Sequence, residues 1–286
     1  MSRVFDPTPC QLGEGPLWHP ERQQLFWFDI LNRKLLTRAG GQTRDWDFAE
    51  RVSAAGWVDD DRLLIASERA LFTFDPDSGA REELAPLEAD NPLTRSNDGR
   101  ADPFGGFWIG TMGLAAEARA GAIYRYYRGE LRLLFPGLTI PNAICFDPEG
   151  QFALFCDTRE KVIRKVALDP AHGWPAGEAE AFIDMRGAPF SPDGAVMDAD
   201  GNFWNAQWGA GRVAVHDRKG ALVDEVKVGA MQASCPAFGG AELSELFVTS
   251  ATEGLPETEI AARPENGMTF VAQTGARGQR EHRVLP

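Results

Sequence analysis

The chain has 286 residues, 43% of them hydrophobic and 25% charged, ordinary values for a globular protein able to bury a core. Its formal net charge of −13 repels polyanions, so neither nucleic acid nor an anionic membrane is expected as a partner. No stretch approaches the roughly 18 apolar residues of a membrane span and the first residues lack an apolar signal region, so a cytoplasmic protein with its four cysteines reduced is expected.

Short apolar runs punctuated by Asp, Pro and Gly follow one another along the chain and read as strands. The first pair runs from Glu14-Gly15-Pro16-Leu17-Trp18 to Leu25-Phe26-Trp27-Phe28-Asp29. The same frame returns from Ala54 to Ser67, from Asn97 to Thr111, from Asn142 to Asp157, from Asp193 to Gln207 and from Pro236 to Ser250. Asp75-Pro76-Asp77-Ser78-Gly79, Asp102-Pro103-Phe104-Gly105-Gly106 and Asp147-Pro148-Glu149-Gly150 supply turn chemistry between runs. No long amphipathic helix is evident. Cys145 and Cys156 fall on neighbouring strands of the fourth unit, where a disulfide is sterically open.

Laid over one another, the six units place Glu14, Ala54, Asn97, Asn142, Asp193 and Pro236 in one column. The recurrence of roughly 40 to 50 residues is that of a four-stranded propeller blade. The expectation is therefore all-β: a six-bladed β-propeller of four-stranded antiparallel blades around a central channel, forming one domain over residues 1–286. Residues 113–120 and 169–186 exceed the frame and are expected as loops, candidates to shape a binding mouth. The first unit lacks an outer strand and the sixth runs late, through Met268 to Val271 and then Arg283 to Leu285. The chain ends are thus expected to meet in one blade and remove its free edge.

Taken singly, Asn97 and Asp193 before their Asp-Gly and Gly neighbours read as turn caps. As a column in a propeller, Glu14 and Asp193 converge on the channel with Asn97 and Asn142 between them. Two such carboxylates cannot both stay ionised without a cation. With no Cys or His in the column, the donor set suits a hard divalent ion such as Ca²⁺, Mg²⁺ or Mn²⁺ and argues against a tetrahedral structural zinc site. Arg95, two residues before Asn97, reads either as a salt-bridged loop residue or as a planar donor fork for a polyol or lactone oxygen. His19 lies five residues after Glu14 and is the one histidine close to the column in sequence.

Gly13-Glu14-Gly15-Pro16-Leu17-Trp18, Arg95-Ser96-Asn97-Asp98-Gly99, Gly110-Thr111-Met112, Gly121-Ala122-Ile123-Tyr124, Pro141-Asn142-Ala143, Pro192-Asp193-Gly194 and Cys235-Pro236-Ala237-Phe238-Gly239-Gly240 resemble, in order, the motifs of the senescence marker protein/regucalcin/gluconolactonase family. The resemblance runs from about Leu12 to Arg283. It implies hydrolysis of a small-molecule sugar lactone with one divalent metal ion, drawn from Ca²⁺, Mn²⁺, Mg²⁺, Zn²⁺ and Fe²⁺. It implies Glu14, Asn142 and Asp193 as metal ligands, Arg95 and Asn97 as substrate contacts, and a carboxylate reaching substrate from the 113–120 loop, for which Glu117 is the candidate. Asp193, ligand and neighbour of the attacking water, is the candidate catalytic base. A monomer or weak homo-oligomer is expected. The family's Asn-Gly is here Asn142-Ala143. Two other readings stand beside this one: a propeller hydrolase of other esters or phosphotriesters, and a calcium-binding regulatory protein without turnover.

Overall fold

The structure, a computed structural model, describes residues 2–286. It is the expected six-bladed β-propeller, in which six antiparallel sheets of four strands follow one another around the channel. Blade one is Gly13–His19, Gln24–Asp29, Lys34–Ala39 and Gln42–Asp47 from the channel outwards. The inner strands of blades two to six are Val52–Trp57, Thr94–Ala101, Pro141–Phe146, Ser191–Met197 and Ala233–Gly239. The one helix among the described residues, Glu257–Ala262, is short and buries nothing.

The core lies between blades, as six hydrophobic clusters that each join two neighbours. Strand alternation causes this directly, because successive side chains point to opposite faces. On the second strand of blade one, Phe26 and Phe28 pack towards blade two, while Leu25 and Trp27 pack towards blade six. The turn aspartates act as read from sequence. Asp102 accepts from the backbone N–H groups of Phe104 and Gly106, and Asp75 from those of Asp77 and Ser78.

Ring closure uses both chain ends. Arg3–Asp6 adds to Thr269–Gln273 as the outermost strand of blade six, with Val4 opposite Phe270. The tail departs from expectation. Arg283 to Leu285 do not extend blade six but pass beneath the channel, because the inner strands offer unpaired groups there. Gln279 donates to the carbonyls of Phe146 and Met197 at 3.0 and 3.1 Å, and Val284 N–H donates to Trp57 O at 2.9 Å. The Glu281 carboxylate pairs with Arg100, which reaches across from blade three towards the carbonyls of Ala195 and Pro236.

The 169–186 stretch also differs from its expectation. Glu180–Asp184 is the outer strand of blade four. Trp174 stacks on the Arg125 guanidinium, 4.4 Å from the ring centre, on the blade rim. That cation is itself paired with Asp102, both side chains fully buried. Cys145 stands opposite Leu154 and Cys156 opposite Asn142, so no disulfide forms, and all four cysteines are free and buried.

The tail's carboxylate can be tested alone. Removing one partner of a buried ion pair leaves an uncompensated charge, and Arg100 and Glu281 have side chains only 10% and 8% exposed. Glu281→Gln is expected to lower the unfolding free energy by about 3–5 kcal/mol, read by urea denaturation. A loss below about 1 kcal/mol would mean that the tail lies on the channel without closing it.

Candidate active site

Every inner strand carries a β-bulge or register break at its channel-facing turn. The breaks fall between Glu14 and Leu17, Val52 and Ala54, Ser96 and Gly99, Asn142 and Cys145, Pro192 and Ala195, and Ala233 and Pro236. A bulge re-aims the side chain at the break, and here the repeat column sits on it. At Gly15 the chain turns left-handed (φ 50°), and a Cβ there would lie 2.2 Å from the Ser53 carbonyl. At Gly194 a Cβ would meet the Cys235 sulfur at 2.3 Å. Neighbouring inner strands therefore approach as closely as they do because these residues have no side chain. Ala143 holds the left-handed turn after Asn142 (φ 58°), in the place of the family's glycine.

The bulges bring Glu14, Arg95, Asn97, Asn142 and Asp193 to one cavity of about 450 Å³. Ala54 packs instead in the cluster between blades two and three. Glu117 stays out of the cavity lining; it is exposed and its carboxylate accepts from Ala115 N–H at 3.1 Å within its own loop. His19 is also outside. Its Nε2 meets the Asp59 carbonyl at 3.0 Å and its Nδ1 accepts from Arg22 N–H, so it is a core histidine against Trp57.

Glu14 and Asp193 are each 5% exposed. Glu14 accepts only the N–H of Gly15, at 2.9 Å, and the Asp193 carboxylate has no hydrogen-bond or ion-pair partner among the described residues. Burial, with the charges of Asp98 and Glu253 added, pushes the Glu14 carboxyl up to about 8. Burial and then the Glu14 charge raise Asp193 well above the ordinary carboxylate range. Arg95, 6% exposed, is drawn down to about 10 by burial. It forms no ion pair among the described residues and donates to Ser96 O and Asn97 Oδ1, both at 2.9 Å, which removes the salt-bridge reading.

Two unpaired carboxylates and the amide oxygen of Asn142 are hard oxygen donors, and they fit a divalent ion of the Ca²⁺, Mg²⁺ or Mn²⁺ kind. Among the described residues no trio of His, Cys, Asp and Glu gathers anywhere, so the third donor here would be an amide oxygen. Asn142 is held by neighbours on both sides. Its Nδ2 donates to Thr158 Oγ1 at 2.9 Å, and its Oδ1 accepts from Asn97 Nδ2 at 3.3 Å.

Sequence reading missed Thr158, Arg51, Trp208 and Glu253, which also line the cavity. Thr158, Trp208 and Glu253 lie at or just beyond the outer end of a second strand, at Asp157, Trp208 and Ser250. Aligning those ends, as well as the inner strands, exposes this second ring of mouth positions. From the 113–120 loop, the residues that reach the cavity are Leu114, Ala115 and Ala116.

The model of the family described as SMP-30/gluconolactonase/LRE-like region matches residues 12–252. An L-arabinolactonase of Azospirillum brasilense is 36% identical over 96% of this chain and 92% of its own length. A pentonolactonase of Haloferax volcanii is 32% identical over 99% and 97%. The crystal structure of regucalcin from Agrobacterium tumefaciens, described as a calcium-binding protein, superposes with a TM-score of 0.98 at 41% identity, covering 100% of this chain and 98% of that one.

The raised Glu14 carboxyl sets a pH dependence for the metal-free protein. A group whose folded pKa lies above its unfolded value binds more protons when folded, so its contribution to stability is full at low pH and is lost as pH rises. The window runs from the ordinary 4.5 to about 8. The melting temperature of chelator-treated protein is expected to fall between pH 5 and pH 8, and Glu14→Gln to flatten that slope. An unchanged slope in Glu14→Gln would remove Glu14 as its source.

Proposed function

The chain belongs to the SMP-30/gluconolactonase/LRE-like family, and from that premise we propose that it is a divalent-metal-dependent lactonase. It opens sugar lactones, aldonolactones such as gluconolactone or a pentonolactone, to aldonic acids. The observation that carries this reading is the pair of unpaired buried carboxylates, Glu14 and Asp193, at one cavity with the guanidinium of Arg95. The named lactonases among its relatives support the reaction class.

Glu14, Asn142 and Asp193 would hold the ion. When bound, a divalent ion supplies Lewis acidity towards a carbonyl oxygen and eases the ionisation of water. The rest falls to the chain's own groups. Arg95, with donors left over from its two bonds to Ser96 O and Asn97 Oδ1, orients the sugar oxygens in a planar fork. Asn97 spends its amide on holding Arg95 and Asn142, donating also to Pro141 O at 3.0 Å. Asp193 takes a proton from the attacking water as the new C–O bond forms. It returns that proton to the ring oxygen as the ester bond breaks, so that one lactone and one water give one hydroxy acid. Leu12, Leu31, Ile140 and Trp208 on the lining limit bulk water around these charges.

The same residues separate this reading from a calcium-binding protein without turnover. A buried guanidinium beside the ligands opposes a cation, and a site selected for calcium affinity alone has no use for it. Reaction on phosphotriesters or simple esters would leave the donors of Arg95 without hydroxyl partners.

Stripping the ion with a chelator is expected to abolish acid release from gluconolactone while leaving the β-rich far-UV signal intact, because strand pairing and inter-blade packing hold the ring. Full activity in protein shown metal-free by elemental analysis would end the metal-dependent reading. Glu14→Gln and Asp193→Asn are both expected to bind the ion more weakly. At saturating ion Glu14→Gln should recover turnover, whereas Asp193→Asn should stay roughly 10²–10⁴-fold low in kcat for want of a base. Equal recovery of the two would make Asp193 a ligand only.

A further inference from the structure

A one-way chain of hydrogen bonds crosses the inner strands of blades three, four and five. Arg95 Nη1 donates to Asn97 Oδ1 at 2.9 Å, and Asn97 Nδ2 donates to Asn142 Oδ1 at 3.3 Å. Asn142 Nδ2 then donates to Thr158 Oγ1 at 2.9 Å, and the Thr158 hydroxyl donates to Pro192 O at 2.9 Å. A guanidinium can only donate and a carbonyl can only accept, so the two ends fix the direction of every bond between them. Both asparagine amides are thereby oriented by chemistry, since reversing either would set donor against donor or acceptor against acceptor.

We propose that Thr158 is a positioning residue for the metal ligand Asn142: its hydroxyl holds the amide NH₂ to one side so that the amide presents its oxygen, and not its NH₂, to the cation. The inference rests on the assignment of Asn142 as a ligand. Asn142 is 2% exposed, so an NH₂ deprived of the Thr158 acceptor cannot turn to bulk water and is costly to leave unpaired. The carboxylates of Glu14 and Asp193 on the same cavity are strong acceptors, and an NH₂ turned towards them competes with the ion. With Thr158 in place, the Asn142 oxygen has one lone pair engaged by Asn97 and a second available. The Pro192 carbonyl that receives the Thr158 hydroxyl immediately precedes Asp193. The same bond thus ties the backbone of one ligand to the amide of another.

Calorimetric titration of Ca²⁺ and of Mn²⁺ into chelator-stripped full-length protein tests this. Thr158→Val keeps the shape and loses the hydroxyl, and its affinity is expected to drop about 10–100-fold, the range for loss of a group that orients a metal ligand. Thr158→Ser keeps the hydroxyl and should stay within about threefold of wild type. Turnover of Thr158→Val should return at saturating ion, which separates orientation of a ligand from loss of the catalytic site. If the valine variant does not fold, Thr158→Ala carries the same expectation. Wild-type affinity in Thr158→Val beside weakened binding in Asn142→Ala would overturn the proposal and leave the ligand assignment standing. Equal weakening in the valine and serine variants would overturn it in favour of a packing role. No ion uptake by wild type would remove the ligand assignment and the proposal with it.

Discussion

Glu14 and Asp193 stand at one cavity with no cationic side chain among the described residues paired to either, and much of the surrounding structure is what it takes to keep them there. Withdrawing a carboxylate from water without a partner costs several kcal/mol, so a pliable scaffold would turn one of them outward. This scaffold has no such freedom. Each inner strand is wedged between two neighbours by clusters of Phe, Trp and Leu, and the close approach of strands at Gly15 and Gly194 leaves no room to shift. The bulge at each column position commits the side chain to the channel. Ala143 accepts a left-handed turn that L-residues disfavour in order to keep Asn142 at the same level.

A channel open at both ends would let water reach the carboxylates from below. The tail crosses that end, with Glu281 on Arg100 and Gln279 on the carbonyls of blades four and five. The channel thus carries charge at both levels: carboxylates above and a neutralised guanidinium below. The pairing matters to the upper site as well, because an uncompensated Arg100 deeper in the channel would oppose any cation bound above it. Ring closure by Arg3–Asp6 and floor closure by residues 279–285 use opposite ends of the chain for two separate purposes.

Floor and mouth divide the chemistry. In the proposed reaction Glu14, Asn142 and Asp193 would act on what every lactone shares, an ester carbonyl and a water, whereas the mouth would meet what distinguishes one sugar from another. The mouth here is built from Leu114 to Ala116 on one side and Arg51, Trp208 and Glu253 on others. The backbone of Glu253 is fixed, its N–H on Gln11 O at 2.9 Å and its carbonyl receiving Gln232 Nε2 at 2.8 Å, so its side chain springs from a rigid base.

The propeller, its six units and the column of Glu14, Asn97, Asn142 and Asp193 were legible in sequence, because a repeat must present the same frame to the same neighbours and so writes its register into the chain. Arg95 and Asn97 were legible as a pair because they share a strand, which makes their proximity a local matter. Glu117 was misplaced for the same reason in reverse. A loop residue's direction depends on what its backbone bonds to, and here its carboxylate turns back to Ala115 N–H. Thr158 and Glu253 reach the cavity from blades four and six, just beyond second-strand ends that the inner-strand column leaves out. Nor could the repeat predict that residues 279–285 would leave blade six, since the groups they satisfy, Arg100, Trp57, Phe146 and Met197, lie on four different blades. Local periodicity fixes which side of a strand faces the channel. Only closure of the ring brings distant strands within hydrogen-bonding distance and so decides which donors and acceptors meet.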